Sequence, residues 1–264
     1  MTKRYVALGS SMAAGPGISP RDKSAPLLAG RSAVNYPHLV ATALGLDLVD
    51  VTYSGATTAH VLTDRQHNAS PQVDALDGAE DLVTVTIGGN DVGYLPMVAA
   101  ASLPRFARAL PVVGGAVRDM LDAGARDRAL VAVSEALTEV GRTIRQRAPR
   151  ARVFFVDYLT LLPPAGESAA PLSGADAALG RRIADTLERV TGEAAAETGC
   201  EWVRAAEASR AHHAWAREPW TAKPSRFPLP LGHPAPMHPN AAGMRAVADL
   251  VIERAGGQRT ARRP

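Results

Sequence analysis

The chain has a single cysteine, Cys200, in 264 residues, so no disulfide can form within it. We expect Cys200, at the start of a strand-like run, to serve as a small buried hydrophobe. No stretch approaches the roughly 20 apolar residues that span a bilayer, and no 7–15-residue apolar leader core precedes the strand-like sequence starting at Arg4. The expectation is therefore a cytoplasmic protein, although removal of a leader would leave the same sequence. Basic runs are missing from the body of the chain, and the net charge is only +3, which argues against a nucleic-acid partner. Aromatics make up only 5%, while alanine is abundant, which suits helices with small, closely packed faces.

An apolar content of 46% with 21% charged residues describes one large domain with a proper core. We expect that domain to cover 1–256, with 257–264 as a flexible basic tail, and we favour a monomer. Five short apolar runs, at 5–8, 46–53, 81–88, 151–158 and 200–205, read as strands covered on both faces. Between them lie helical patterns. Leu130, Val133, Leu137, Val140 and Ile144 step by three and four, and residues 176–198 repeat this with Leu179, Ile183, Leu187 and Val190. A last helix runs from Asn240, as N-cap, to Gly256. Strands alternating with helices predict a three-layer α/β/α sandwich around a mainly parallel five-stranded sheet. Two segments interrupt the alternation. Residues 95–125 are apolar and punctuated by Pro and Gly, which fits a helical lid or a packed insertion. Residues 217–239 carry seven prolines and form an irregular loop.

In such sheets ligands bind beyond the carboxyl ends of the strands. Gly9-Ser10-Ser11 follows the first strand, Ser54-Gly55-Ala56 the second and Gly89-Asn90-Asp91 the third, while the proline-rich loop delivers His238 just before the last helix. A serine, a histidine, a glycine amide and an asparagine amide at one sheet edge are the parts of an acyl-transfer site. Ser11 alone reads more readily as a turn or cap residue; the three partners in order make it a nucleophile. His233, five residues before His238, is the rival base. His212-His213, with no acidic or cysteine partner nearby in sequence, reads as polar structure rather than a metal site. Asp91 is expected to bind backbone amides near the site.

These four blocks resemble those of the SGNH hydrolases, the GDSL-type esterase and lipase superfamily. "ALGSSMAAGPG" carries Ser11, "VTYSGATTAHVL" Gly55, "TIGGNDVGY" Asn90 and "MHPNAAGM" His238. "NYPHLVATALGL" and "SRAHHAWAREPW" look like the actinobacterial secreted-esterase branch, whose disulfides the single cysteine rules out within this chain and whose signal peptide we expect it to lack. Ala214-Trp215 stands where a cysteine is expected, which suggests an intracellular relative with apolar packing in place of the cross-links. The resemblance implies a flavodoxin-like SGNH fold and cleavage of lipid, small or sugar acyl esters through an acyl-enzyme on Ser11. It implies an oxyanion hole from Ser11, Gly55 and Asn90, and no metal or organic cofactor. An acyltransferase using the same acyl-enzyme and a non-catalytic binding protein are the alternatives. Two departures stand out. The usual Gly-Asp-Ser is Gly-Ser-Ser, with Ser10 in the Asp position, and the usual Asp three residues before the histidine is Ala235. The family's known alternative is a backbone carbonyl, so the expectation is a Ser11–His238 dyad with the Ala235 carbonyl, or a close neighbour, accepting from the imidazole; a distant Asp or Glu folding into contact is the alternative.

Overall fold

A computed structural model describes residues 2–104, 108, 111–225 and 233–256. The basic tail, the centre of the proline-rich loop and part of 95–125 lie outside the described residues.

All five apolar runs become strands: β1 (Arg4–Gly9), β2 (Asp47–Asp50), β3 (Leu82–Thr86), β4 (Arg152–Val156) and β5 (Glu201–Val203). They form one parallel sheet in the order β2-β1-β3-β4-β5. This order reverses beside β1, so the ends of β1 and β3 open onto the crevice where doubly wound sheets bind ligands. β1 and β3 lie in the middle of the sheet, and β3 is buried along its whole length, as its Leu-Val-Thr-Val-Thr sequence requires.

Helices cover both faces. On one side pack α2 (Tyr36–Leu44) and α9 (Ala241–Gly256), which bring Tyr36, Val40, Met244 and Val251 against Tyr5, Phe154 and Val203. On the other lie α6 (Ala123–Arg147) and α7 (Gly174–Glu197), with Leu137, Val140, Ile144, Ile183 and Leu187 turned onto Val83, Val85 and Phe155. These inward residues are the ones whose three-and-four spacing marked the stripe, and each stabilises the fold by about 1.5–3 kcal/mol through burial. α6 begins earlier than its apolar stripe because Asp122 caps it, accepting from the Ala125 amide at 2.9 Å. Within 95–125, α4 (Tyr94–Ser102) is part of the core, with Met97 and Val98 fully buried, and α5 spans Pro111–Leu121. The short helices α1 (Ser11–Ala14) and α8 (Ala205–Ala208) follow β1 and β5 directly, and α3 (Thr58–Leu62) follows β2 after a seven-residue loop. Among the described residues no helix is long and apolar enough to cross a membrane.

Asp157, just past β4, ties the sheet edge to α8 by accepting from the Ala206 amide and the Trp202 indole, both at 2.8 Å. Burial pushes its carboxyl up to about 7 against the lowering effect of those donors. The folded chain thus holds a proton here that the unfolded chain, with an Asp near 3.9, releases. Stability should fall as pH rises from about 4 to about 7. Melting temperature followed over that range should show this slope in the native protein and a flatter profile in Asp157→Asn.

Candidate active site

β1 ends in Gly9, whose φ of +142° is open only to glycine, and a Cβ there would lie 2.6 Å from the Thr86 carbonyl oxygen on β3. The chain then turns sharply. Ser10 stays extended as the N-cap of α1, its amide donating to the Thr86 carbonyl at 2.9 Å, and Ser11 is the first helical residue. Ser11 is therefore not the cap, and its side chain stands free of the helix start.

His238 comes from the loop before α9. Its Nε2 lies 2.8 Å from Ser11 Oγ, and its Nδ1 lies 2.8 Å from the Pro236 carbonyl oxygen. The acceptor is thus Pro236, not Ala235. The Ala235 carbonyl instead accepts the backbone N–H of His238 at 3.1 Å, while the Ala235 amide donates to the Pro16 carbonyl at 2.9 Å. Between them Met237 adopts a φ of +65°, which turns the Pro236 carbonyl toward the imidazole. The rival His233 is exposed, and the hydrogen bond to Ser11 Oγ comes from His238. Burial among protein atoms lowers the His238 pKa below its usual value, and the Pro236 carbonyl opposes this only in part.

The histidine loop is braced by the end of the "SRAHHAWAREPW" segment and the two residues that follow it. Thr221 bridges Pro239, the Ala222 amide donates to the His238 carbonyl, and the Asn240 amide donates to the Trp220 carbonyl, both at 2.9 Å. Trp220 stacks on His212 with ring centroids 4.1 Å apart, and His212 Nδ1 lies 2.8 Å from the Glu218 carbonyl oxygen. This gives His212 a structural partner; among the described residues no group of three metal-ligating side chains occurs. Asn240 caps α9 as expected, accepting from the Gly243 amide at 2.9 Å. Gly243 must be small, since a Cβ would fall 2.2 Å from the Trp220 carbonyl oxygen. Gly243→Ala should push the Trp220 strut and His238 apart, lowering both melting temperature and ester turnover.

The other two blocks arrive on either side of Ser11. Gly55 sits in the left-handed region at φ +81°, with only Gln66 Nε2 within reach of a Cβ, at 3.5 Å. Conformation, not crowding, requires glycine there. Behind it, Thr57 and His60 form a capping box that starts α3. Asn90 Nδ2 donates to the Ala56 carbonyl at 2.7 Å, which leaves its second N–H available. Asp91 accepts from the Thr58 amide at 3.0 Å and from its hydroxyl at 2.5 Å, locking the asparagine loop to the glycine loop. Among the described residues neither the Ser11 nor the Gly55 amide donates to a protein acceptor. The second Asn90 N–H and the Ser11 and Gly55 amides are thus three N–H groups with no protein acceptor among the described residues.

Two supporting residues were not visible in the sequence. Gln72 clamps Gly9 from both sides, its Oε1 accepting from the Gly9 amide at 2.7 Å and its Nε2 donating to the Gly9 carbonyl at 3.0 Å. Tyr158 accepts from the Gly89 amide at 2.9 Å and reaches Ser10 Oγ at 3.3 Å, so a neutral pair stands at the position of the family's Asp. Burial pushes the Tyr158 phenol up to about 12, which keeps it protonated and able to donate to Ser10. An apolar cavity of about 520 Å³ lies behind Tyr158, walled by Leu159, Leu161 and Leu162, but none of the four block residues lines it. Tyr158→Phe strands the Gly89 N–H and should cost about 1–3 kcal/mol in urea unfolding, with slower ester turnover as Asn90 drifts.

Comparison with known proteins places the chain among relatives. Residues 7–246 match the GDSL-like Lipase/Acylhydrolase family. Lipase 2 of Streptomyces coelicolor is 34% identical over 263 residues, covering 96% of this chain and 85% of its own. A lipase of Streptomyces rimosus is 29% identical, covering 82% and 75%. Among solved structures, phospholipase A1 of Streptomyces albidoflavus superposes with a TM-score of 0.77 at 24% identity, covering 97% of this chain and 99% of that one. The extracellular lipase of Streptomyces rimosus gives 0.76 at 26% identity, covering 96% and 99%. With its parallel sheet, its four blocks and these relatives, the chain belongs to the GDSL-like lipase/acylhydrolase family, the SGNH hydrolases, and is an ester hydrolase.

Proposed function

We propose that the chain hydrolyses acyl esters through an acyl-enzyme on Ser11, activated by a Ser11–His238 dyad without a carboxylate. The observation that carries this is the 2.8 Å contact between His238 Nε2 and Ser11 Oγ, with Nδ1 held at 2.8 Å from the Pro236 carbonyl. A carbonyl can only accept, so the proton sits on Nδ1 and the lone pair on Nε2 faces the serine. Ser11 Oγ attacks the ester carbonyl carbon while its proton passes to His238 Nε2. The carbonyl oxygen, now negative, receives N–H groups from Ser11, Gly55 and Asn90. The tetrahedral centre collapses, His238 protonates the departing alcohol, and an acyl ester remains on Ser11. Water then attacks, giving its proton to His238, and the carboxylic acid leaves as Ser11 regains its proton.

The acyl donor we favour is a lipid ester, because the relatives at 34% and 29% identity are named lipases. An acetyl-xylooligosaccharide esterase of Geobacillus matches in fold alone, at 16% identity.

A fluorophosphonate probe followed by peptide mapping tests the nucleophile: the label should sit on Ser11, and an unlabelled folded protein would sink the reading. The pH profile tests the base. Only neutral His238 accepts the serine proton, and burial lowers its pKa. Activity, as kcat/KM, should therefore persist on acidification until below about 6.5, the ordinary histidine value. An acid limb centred above that value would assign the titration to another group.

A further inference from the structure

We propose that Leu27 and Leu28 form an anchor that seats the loops beside Ser11 and His238 on a lipid–water surface. The inference rests on the ester-hydrolase reading above and adds how an aggregated substrate is met. Among the described residues only three large apolar side chains are exposed: Leu27 at 74%, Leu28 at 61% and the distant Val131 at 67%. A lone exposed leucine needs no explanation, but two adjacent ones beside a candidate site do.

The leucines do not hang on a slack loop. They sit on a 3-10 turn, Leu27–Ala29, closed by the Ala29 amide on the Pro26 carbonyl at 3.0 Å and the Gly30 amide on the Leu27 carbonyl at 3.2 Å. The Ala29 carbonyl accepts from both the Ser54 amide, at 3.0 Å, and the Ser54 hydroxyl, at 2.8 Å. Ser54 immediately precedes Gly55. Gly30 also lies close to Pro16, whose carbonyl holds the histidine loop through Ala235. The turn is thus wedged between the loops that carry Gly55 and His238, and its two outermost side chains point into solvent.

Charge on the same segment selects the partner. Arg21 and Lys23 are exposed, and neither has a carboxylate partner among the described residues; Arg21 donates only to the Asp22 and Ala25 carbonyls. The nearby Asp22 is turned inward, toward Arg31 at 3.5 Å and Ser24. Two exposed leucines preceded in the chain by two cations without carboxylate partners among the described residues fit an interface with apolar chains and anionic head groups.

Cosedimentation of Ser11→Ala protein with vesicles of phosphatidylcholine containing phosphatidylglycerol tests the anchor without consuming the lipid. The Leu27→Asp/Leu28→Asp variant, in that background, should lose about ten-fold or more in partitioning, whereas Val131→Asp should not. With Ser11 intact, the leucine variant should keep its turnover of a water-soluble butyrate ester and slow only on vesicle substrate. Unchanged partitioning, or an equal loss in Val131→Asp, overturns the anchor. So does a parallel loss of soluble-ester turnover, which would place the leucines in the cleft. Sedimentation velocity showing a dimer that the leucine variant dissociates would assign the face to a second copy of this chain instead. Because binding is read in Ser11→Ala, failure of the acyl-enzyme reading would appear separately, as absent soluble-ester turnover in the native protein.

Discussion

Ser11→Ala should lower kcat/KM for a chromogenic ester by about a thousand-fold or more, and His238→Ala should do nearly the same. Each loses the covalent route for a different reason. Without Oγ no acyl-enzyme forms; without Nε2 at 2.8 Å from it, the serine keeps its proton. The double variant should be scarcely worse than either single one, because the two groups act as a unit. Residual hydrolysis in all three should be similar, since the amides of Ser11 and Gly55 and the Asn90 side chain survive in each. Independent, multiplying losses would mean that His238 acts on something other than Ser11. Melting temperature should shift little in Ser11→Ala, which separates lost chemistry from lost fold.

Among the described residues no carboxylate contacts His238, and this shapes how far the histidine can be perturbed. A carboxylate would stabilise the imidazolium formed during attack, whereas the Pro236 carbonyl offers only a dipole. Orientation then falls to the backbone. Met237 at φ +65°, the Ala235 carbonyl on the His238 amide and the Thr221–Pro239 bridge together fix the ring without an acidic side chain. This is where the sequence was least informative. A missing Asp is visible as Ala235 three residues before His238, but which carbonyl replaces it depends on a single positive φ at a methionine, and methionine carries no signal for that conformation.

The rest of the site divides along the same line. The places of Ser11 and His238 were legible because they adjoin a strand end and a helix start, and those of Gly55 and Asn90 because they fall in the loops after β2 and β3, where apolar runs and caps mark the position. The strand limits were less so. The run at 46–53 continues past β2 because Val51 and Tyr53 still donate to the Ala7 and Gly9 carbonyls, each at 3.0 Å. Gln72 and Tyr158 were invisible. Each acts through contacts with residues 63 and 148 positions away in the chain, from a short 3-10 turn and from the segment after β4, whose local sequence says nothing of that meeting. Gln72 looks like any polar loop residue until the fold lays it against Gly9.

That clamp leads to the largest expected structural effect, at Gly9. Gly9→Ala must place a Cβ 2.6 Å from the Thr86 carbonyl oxygen and 3.0 Å from its nitrogen, both backbone atoms of the neighbouring strand. It must also hold an alanine at φ +142°, a region costing about 1–3 kcal/mol for a side-chain-bearing residue. The clash cannot be relieved by a rotamer. It requires β1 and β3 to separate where Gly9 and Thr86 pair, or the peptide to flip and surrender the two Gln72 hydrogen bonds, each worth about 1 kcal/mol. Strain and lost bonds together give about 3–5 kcal/mol, which urea unfolding should register as a lower midpoint with an unchanged slope. Ester turnover per folded molecule should fall as well, because Ser11 follows two residues later and its amide is aimed by the same turn. Gln72→Ala isolates the second contribution: it removes the clamp but leaves glycine free to adopt its φ, so it should cost less stability than Gly9→Ala. If Gly9→Ala instead folded with stability within about 1 kcal/mol of the native protein, the strand end would be more compliant than its contacts with Thr86 allow, and the placement of Ser11 would rest on α1 alone.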